Sequence, residues 1–556
     1  MKIVIVGGVA VGAGTAARVR RLQEDAEIVV IERGEYVSFA NCGLPYYIGG
    51  EIKDRQRLLL NTPKSLYDRF RIDVRVNQEL VSIDREQKVV HVKNLANGTQ
   101  YDEAYDKLVL AQGAAPIRPP LPGIDFENIF QVRVIPDVDA IQEQLATGRV
   151  KRAVVIGAGF IGLEMVEAFV NRNIPVTLVE RGAQILPPMD PEMTVWATRA
   201  LRDRGVELIL SDGIASFVGV GKADAVVLES GKRVEGDLFV LGLGVRPDVR
   251  IASTAGLELG QTGALMVNTH LQTNDPNIYA AGDLAETTHA VTRGLSWIPL
   301  AGPANKQARV IATHLSGRPA EFSGVLGTSI VRFDRSVIAL TGLSEKAAQR
   351  AGVPYLKSYS VSTDHASYYP GAKDILIKLL FTPDDGRLLG AQVIGEVGVD
   401  KRIDVLATAI QSGLTAPELA ELDLAYSPPF SSAKDPVIMA GMAAENILLG
   451  LSQTVQNEQF DMFDPDVQLL DVRDAAETAR GTMPGAMLIP LPELRDRLGE
   501  LDKTRPVVVY CRGGQRSYIA TRILLGNGFP TVLNWAGGYM LWDINQEFNE
   551  IVAQPV

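Results

Sequence analysis

The sequence predicts an α/β chain of several domains, two of them built on a nucleotide-binding β–α–β unit. Three observations carry this. Short β-branched apolar runs at 2–6 and 27–31 flank a helical stretch, and the pattern returns at 153–156 and 176–179 around a helix at about 160–172. A glycine-rich loop follows the first strand of each unit: Gly7-Gly8-Val9-Ala10-Val11-Gly12, then Gly157-Ala158-Gly159-Phe160-Ile161-Gly162. An acid, Glu32 or Glu180, ends each second strand. The length of 556 residues predicts roughly three to four domains of about 150 residues each.

Taken in order, Met1 to Ala17 has one lysine, an apolar stretch and small residues, a pattern it shares with secretory leaders. Its glycines and Glu32 assign it instead to a first strand and phosphate loop. Valine at position 9 replaces the usual middle glycine. Leu110-Ala111-Gln112-Gly113-Ala114-Ala115-Pro116 closes an apolar segment and opens a proline-rich crossover at 116–123. The second loop is the cleaner one. Glycine permits the turn and close approach to pyrophosphate, and the helix N-terminus offers N–H groups to the anion. Glu180 suits ribose hydroxyls and repels a 2′-phosphate, favouring NADH, whereas the adjacent Arg181 suits NADPH. Ile278-Tyr279-Ala280-Ala281-Gly282-Asp283 reads as a strand and a turn that offers a carboxylate to a ribityl hydroxyl. FAD is therefore expected at Gly7, Gly8, Gly12, Glu32, Gly113 and Asp283. A nicotinamide dinucleotide is expected at Gly157, Gly159, Gly162 and Glu180. From about 326 to 445 strands and helices alternate without a phosphate loop, and 448–462 is polar and glutamine-rich, as a linker is. The remainder reads as a small α/β unit with strands at 467–470, 507–510 and 531–533.

There are two cysteines, Cys42 and Cys511, so no disulfide framework is available. This fits a reducing, cytoplasmic setting. The net charge of −11 argues against a nucleic-acid partner, and no apolar run is long enough for a bilayer. The five histidines lack paired ligand spacing, so no metal is expected. Cys511 opens Cys511-Arg512-Gly513-Gly514-Gln515-Arg516-Ser517. Backbone N–H groups around the glycines can converge on the sulfur, and Arg512 and Arg516 add positive charge, a setting for a persulfide anion.

With Ser38-Phe39-Ala40-Asn41-Cys42-Gly43-Leu44-Pro45-Tyr46, residues 1–447 resemble the single-cysteine branch of the flavin-dependent pyridine nucleotide–disulfide oxidoreductases. That branch holds coenzyme A disulfide reductases, NADH oxidases, NADH peroxidases and persulfide reductases. His365-Ala366-Ser367-Tyr368-Tyr369-Pro370-Gly371 and Ala425-Tyr426-Ser427-Pro428-Pro429 resemble the tyrosine segments of coenzyme A disulfide reductases. Asp400-Lys401-Arg402-Ile403-Asp404 and Ala433-Lys434-Asp435 also resemble that family. The tail resembles a rhodanese domain through Leu470-Asp471-Val472-Arg473, the Cys511 loop and Gly537-Gly538.

The resemblance implies two Rossmann-like nucleotide-binding domains, an α/β dimerisation domain and a C-terminal rhodanese α/β domain. The expected layout is FAD-binding at 1–150 and 271–325, NAD(P)H-binding at 151–270, dimerisation at 326–447, linker at 448–462 and rhodanese at 463–556. It further implies a homodimer reducing coenzyme A disulfide, coenzyme A persulfide or polysulfide through Cys42. That thiolate would be stabilised by flavin contact and a local helix N-terminus. Tyr368 and Tyr426, acting from the other subunit, would serve the leaving thiolate, with Tyr369 the alternative for Tyr368. Arg18 and Arg21 are expected at coenzyme A phosphates, with Ser38, Asn41 and Lys434 near its pantetheine or nucleotide. Cys511 and Arg516 would deliver sulfane sulfur. The alternatives are an oxidase or peroxidase cycling through a sulfenic acid at Cys42, and a non-catalytic redox sensor or sulfur carrier.

Overall fold

The β-branched run Lys2–Val6 becomes the central strand of a five-stranded parallel sheet in this computed structural model. The structure describes residues 1–456 and 466–553. They divide into two units, Met1–Arg181 with Val206–Gly327, and Gly182–Gly205 with Thr328 onward. In the first unit the sheet runs Ile278–Ala280, Lys107–Leu110, Lys2–Val6, Glu27–Ile31, Asp73–Arg75. Continuous apolar strands suit a sheet covered on both faces. Helices Ala10–Leu22 and Ala301–Leu315 bury Val19 and Ile311 against one face, and Leu80 and Val90 cover the other.

A second parallel sheet runs Glu207–Ile209, Val176–Val179, Ala153–Ile156, Leu238–Leu241, Ile129–Phe130. Helix Phe160–Asn171 follows its central strand. The expected boundaries at 150 and 270 do not hold. Ile129–Phe130 pairs with Phe239 and Val240, so the chain enters this sheet before 150. Ala252, Leu257 and Leu265 pack into the first sheet's core, so it has left before 270. A two-residue strand carries no periodicity for a sequence reading to detect. The crossing strands Ala114–Pro116 and Val245–Pro247 pair antiparallel.

The second unit holds an antiparallel five-stranded sheet in the order Ser329–Phe333, Ser336–Gly342, Leu388–Gly395, Asp374–Phe381, Leu356–Thr363. Helices Val399–Ser412 and Pro436–Leu448 flank it. Fully buried Lys378 sits among Asp190, Glu192 and Glu345, so this carboxylate group, which among the described residues could hold a metal ion, encloses an ammonium. A parallel sheet follows in the order Thr454–Val455, Val532–Trp535, Val507–Tyr510, Gln468–Asp471, Met487–Leu488. The expected linker is thus corrected at 454–455, which pair with Asn534 and Trp535 as an edge strand. Its residues 457–462 lie outside the described residues. Among the described residues no helix is long and apolar enough to cross a membrane.

Candidate active sites

Both phosphate loops adopt the tight strand–turn–helix their glycines permit. Gly7 and Gly157 have φ of 97° and 101°, in the left-handed region. A Cβ on Gly12 or Gly162 would collide with the carbonyl of Gly7 or Gly157. At Gly159 a Cβ would meet nothing within 4 Å, which leaves room for a phosphate. Neither Val9 nor Gly159 caps its helix with a side chain, so first-turn N–H groups remain for an anion. Glu32 accepts from Gly8 N and Gly34 N, both at 2.7 Å, and Glu180 accepts from Ala158 N at 2.7 Å. Gly113, with φ of 73°, faces the Arg133 guanidinium and the Asp283 carboxylate. Burial raises the Asp283 pKa against the pull of Arg133. The neighbouring Gln112 Oε1 is buried without a hydrogen-bond partner. Glycine cradles, uncapped helix starts, strand-end carboxylates and this orphaned amide all fit dinucleotides. Arg181 lies 3.6 Å from Glu229.

Cys42 is exposed, one residue into the turn Asn41–Gly43 that precedes helix Leu44–Gly49. Asn41 Oδ1 accepts from Cys42 N at 3.1 Å. Other forces act against the expected stabilisation of this thiolate by flavin contact and the local helix. Desolvation by surrounding protein, then the Glu164 and Asp283 carboxylates, push the thiol pKa up. Ser38 takes a left-handed φ of 48°, and its Oγ accepts from Asn61 Nδ2 at 3.1 Å. Arg18 donates to Thr313 Oγ1 at 3.1 Å. Burial and then the like charges of Arg309, Arg21 and Arg318 lower its pKa. A basic group thus spans helices Ala10–Leu22 and Ala301–Leu315, and sequence reading found only its first two members. The other two belong to a helix and its sequel far along the chain.

Tyr368 and Tyr426, 58 residues apart, meet hydroxyl to hydroxyl at 3.0 Å, and both are exposed. Tyr369 instead packs edge-on against His365. Arg402 holds the two tyrosine segments in register. Its guanidinium, 1% exposed, donates to the Asp364 carbonyl at 2.6 Å and to Asp435 at 2.8 Å. Asp364 in turn bonds His365 Nδ1 at 2.7 Å. Lys434 is exposed beside this knot.

Cys511 Sγ is buried and accepts from Gly514 N at 3.1 Å and Ser517 Oγ at 3.5 Å. Of the backbone N–H groups expected to converge on the sulfur, Gly514 N–H donates, and the Ser517 hydroxyl is the second donor; the expected positive charges are paired elsewhere. Arg512 pairs with Asp374, and Arg516 forms a two-pronged pair with Glu477 at 2.6 Å. Arg516 is therefore neutralised by its partner, and it holds the Glu477 pKa down to about 2. A cavity of about 260 Å3 beside the loop is lined by Val361, Lys434, Met442, Tyr518 and Trp535.

Residues 1–308 match the pyridine nucleotide-disulphide oxidoreductase family, 328–437 its dimerisation domain and 458–545 the rhodanese-like domain. The chain belongs to this family. As such it is an oxidoreductase working with FAD and a pyridine nucleotide, joined to a rhodanese-like domain. Among the solved structures that this chain resembles is the reduced CoADR-RHD of Bacillus anthracis. It is 45% identical, covers 99% of this chain and 98% of that chain, and has a TM-score of 0.96. A NAD-dependent persulfide reductase from A. fulgidus is 39% identical over 98% of this chain and 100% of that one, with a TM-score of 0.92. The coenzyme A disulfide reductase of Staphylococcus haemolyticus is 36% identical over 80% of this chain and all of its own length.

Proposed function

We propose that this oxidoreductase reduces coenzyme A disulfide, coenzyme A persulfide or polysulfide at Cys42, while Cys511 delivers sulfane sulfur. One observation carries the reading: a lone exposed thiol in the first unit, and in the second a buried thiol already receiving two hydrogen bonds. The names of the A. fulgidus and Staphylococcus relatives support the substrate classes.

The Gly7–Gly12 loop, Glu32, Gly113 and Asp283 hold FAD, and Gly157–Gly162 with Glu180 hold NADH. Bound FAD supplies two electrons, taken as hydride from the nicotinamide. The Cys42 thiolate attacks one sulfur of the substrate's S–S bond; that bond breaks, the other sulfur leaves as a thiolate that takes up a proton, and Cys42 keeps the attacked sulfur as a disulfide or persulfide open to two-electron reduction. Arg18, Arg21, Arg309 and Arg318 bind phosphates, with Ser38 and Asn41 along the pantetheine. Tyr368 and Tyr426, bonded to each other, give one hydroxyl that donates a proton while the second stabilises it. In a homodimer they serve the partner's Cys42. At Cys511, Gly514 N–H and Ser517 O–H stabilise the anion of a sulfur-loaded cysteine.

Steady-state NADH oxidation with coenzyme A disulfide, coenzyme A persulfide, polysulfide or dioxygen alone tests the reading. Turnover with a sulfur substrate is expected. Turnover with dioxygen alone at the same rate would replace it with an oxidase.

A further inference from the structure

Neighbouring residues just past strand Val176–Val179 favour opposite dinucleotides: Glu180 suits the ribose diol of NADH, and Arg181 suits the 2′-phosphate of NADPH. The fold decides between them through a hairpin far along the chain. Strands Lys222–Leu228 and Arg233–Glu235 pair antiparallel, and Glu229 stands at the start of their turn. That turn is fastened to the end of Val176–Val179 through residues 212 and 213. Asp212 N donates to the Glu180 carbonyl at 3.2 Å, and Glu229 N donates to the Gly213 carbonyl at 2.7 Å. The buried Asp212 carboxylate accepts from Ser230 N at 3.1 Å and from Ser230 Oγ at 2.6 Å. The Glu229 side chain lies over Gly213, so near that a Cβ there would stand 2.7 Å from the Glu229 carboxyl carbon. From this position Glu229 pairs with Arg181 at 3.6 Å. The hairpin's own cations turn to other acids, Lys232 to Glu207 at 3.9 Å and Arg233 to Asp224 at 2.6 Å.

We propose that Glu229 is a specificity-determining residue of the nicotinamide dinucleotide site: it occupies the Arg181 guanidinium and so selects the dinucleotide that lacks a 2′-phosphate. This rests on Gly157–Gly162 and Glu180 forming that site, where Glu180 already accepts from Ala158 N of the phosphate loop. Two effects act in the same direction. A 2′-phosphate has to displace a carboxylate from Arg181, whose planar fork binds either anion. A second carboxylate near Glu180 also repels a dianion. NADH carries a hydroxyl at that position and meets neither obstacle. The Arg181 and Glu229 side chains are 81% and 50% exposed, so the pair has the strength of a surface ion pair. Its effect on selectivity is then roughly severalfold, and it weakens as salt is added.

The test is calorimetric titration of the FAD-loaded full chain with 2′,5′-ADP and with 5′-AMP, with coenzyme A in excess to fill the basic group around Arg18. Glu229→Gln should bind 2′,5′-ADP roughly fivefold more tightly at low salt, with 5′-AMP unchanged. Arg181→Met in the parent protein should alter 2′,5′-ADP binding little, because the guanidinium is already taken. Added to Glu229→Gln, it should remove most of the gain. Gly213→Ala reaches the same pair by another route. Its Cβ would push the end of the Glu229 side chain aside, so 2′,5′-ADP should again bind more tightly, and this variant carries the test if Glu229→Gln does not fold. Equal 2′,5′-ADP affinity in the parent, Glu229→Gln and Gly213→Ala proteins, all binding 5′-AMP, would overturn the proposal. So would a large loss from Arg181→Met in the parent. If neither nucleotide bound to any of these proteins, the dinucleotide site itself would be misassigned, and the proposal would fall with it. Because binding needs no turnover, the expected pattern in a protein inactive toward every sulfur substrate would leave the role of Glu229 standing and remove the proposed substrates alone.

Discussion

Cys42 has no partner cysteine in its own unit, and Cys511 is buried in another fold. Cys42→Ser should therefore abolish turnover of every sulfur substrate while the flavin spectrum stays that of bound FAD. Retained persulfide reduction would assign the chemistry elsewhere. The tyrosine pair makes a graded prediction. Either Tyr→Phe change leaves one hydroxyl, whereas Tyr368→Phe with Tyr426→Phe leaves none. The double variant should lose about 10²-fold in kcat with KM little changed, the scale of a missing general acid. Equal losses in single and double variants would instead mean that the two act as one unit. A third residue-scale expectation concerns Glu477. Its folded-state pKa of about 2 lies below the ordinary 4.5, so its pairing with Arg516 contributes in full above pH 4.5 and is lost as pH falls toward 2. Thiosulfate–cyanide transfer should fall in that window, and Glu477→Gln should remove the acid limb.

Between elements, Arg402 bonds two segments 29 or more residues away while lying inside the second unit's core. Against the cost of burial, Arg402 and Ser431 hold Asp435 below the usual carboxylate range. Removing one partner strands the other charge, at a cost of roughly 3–5 kcal/mol. Arg402→Met should thus lower Tm clearly and depress kcat further than stability alone explains, since Tyr368 and Tyr426 lose their common anchor. An unchanged Tm would show that the knot relaxes without cost. What sequence reading could see divides along this same line. Ala153–Ile156, Val507–Tyr510 and the glycine loops were legible because four buried apolar residues in a row, or glycines before a helix, are local signals. Ile129–Phe130 was not, being too short to show a period, and neither was Thr454–Val455, hidden in polar sequence. The loop chemistry of Cys511 was legible in part: one of the expected amides, Gly514 N–H, reaches the sulfur, and the Ser517 hydroxyl is the second donor. The fate of its arginines was not, because Asp374 and Glu477 lie 138 and 39 residues away.

For the whole molecule, the two thiols predict separable activities. Cys511→Ala should leave reduction of small persulfides largely intact and strongly reduce thiosulfate–cyanide transfer. If it removed persulfide reduction as completely as Cys42→Ser, the two centres would form one obligatory relay. The Cys511 loop is nevertheless not mechanically independent of the sheet it leans on. Arg512 is paired with Asp374, Tyr518 donates to Asn446 at 3.1 Å, and a Cβ on Gly513 would stand 2.8 Å from Val361 Cβ. At this position side-chain size is restricted by a neighbouring fold as well as by sulfur chemistry. The restriction lies in the neighbouring sheet and not in the loop. A free-standing protein with the same loop has no Val361 beside it, and there an alanine at this position is judged by the loop alone. Here it would also have to push a sheet aside.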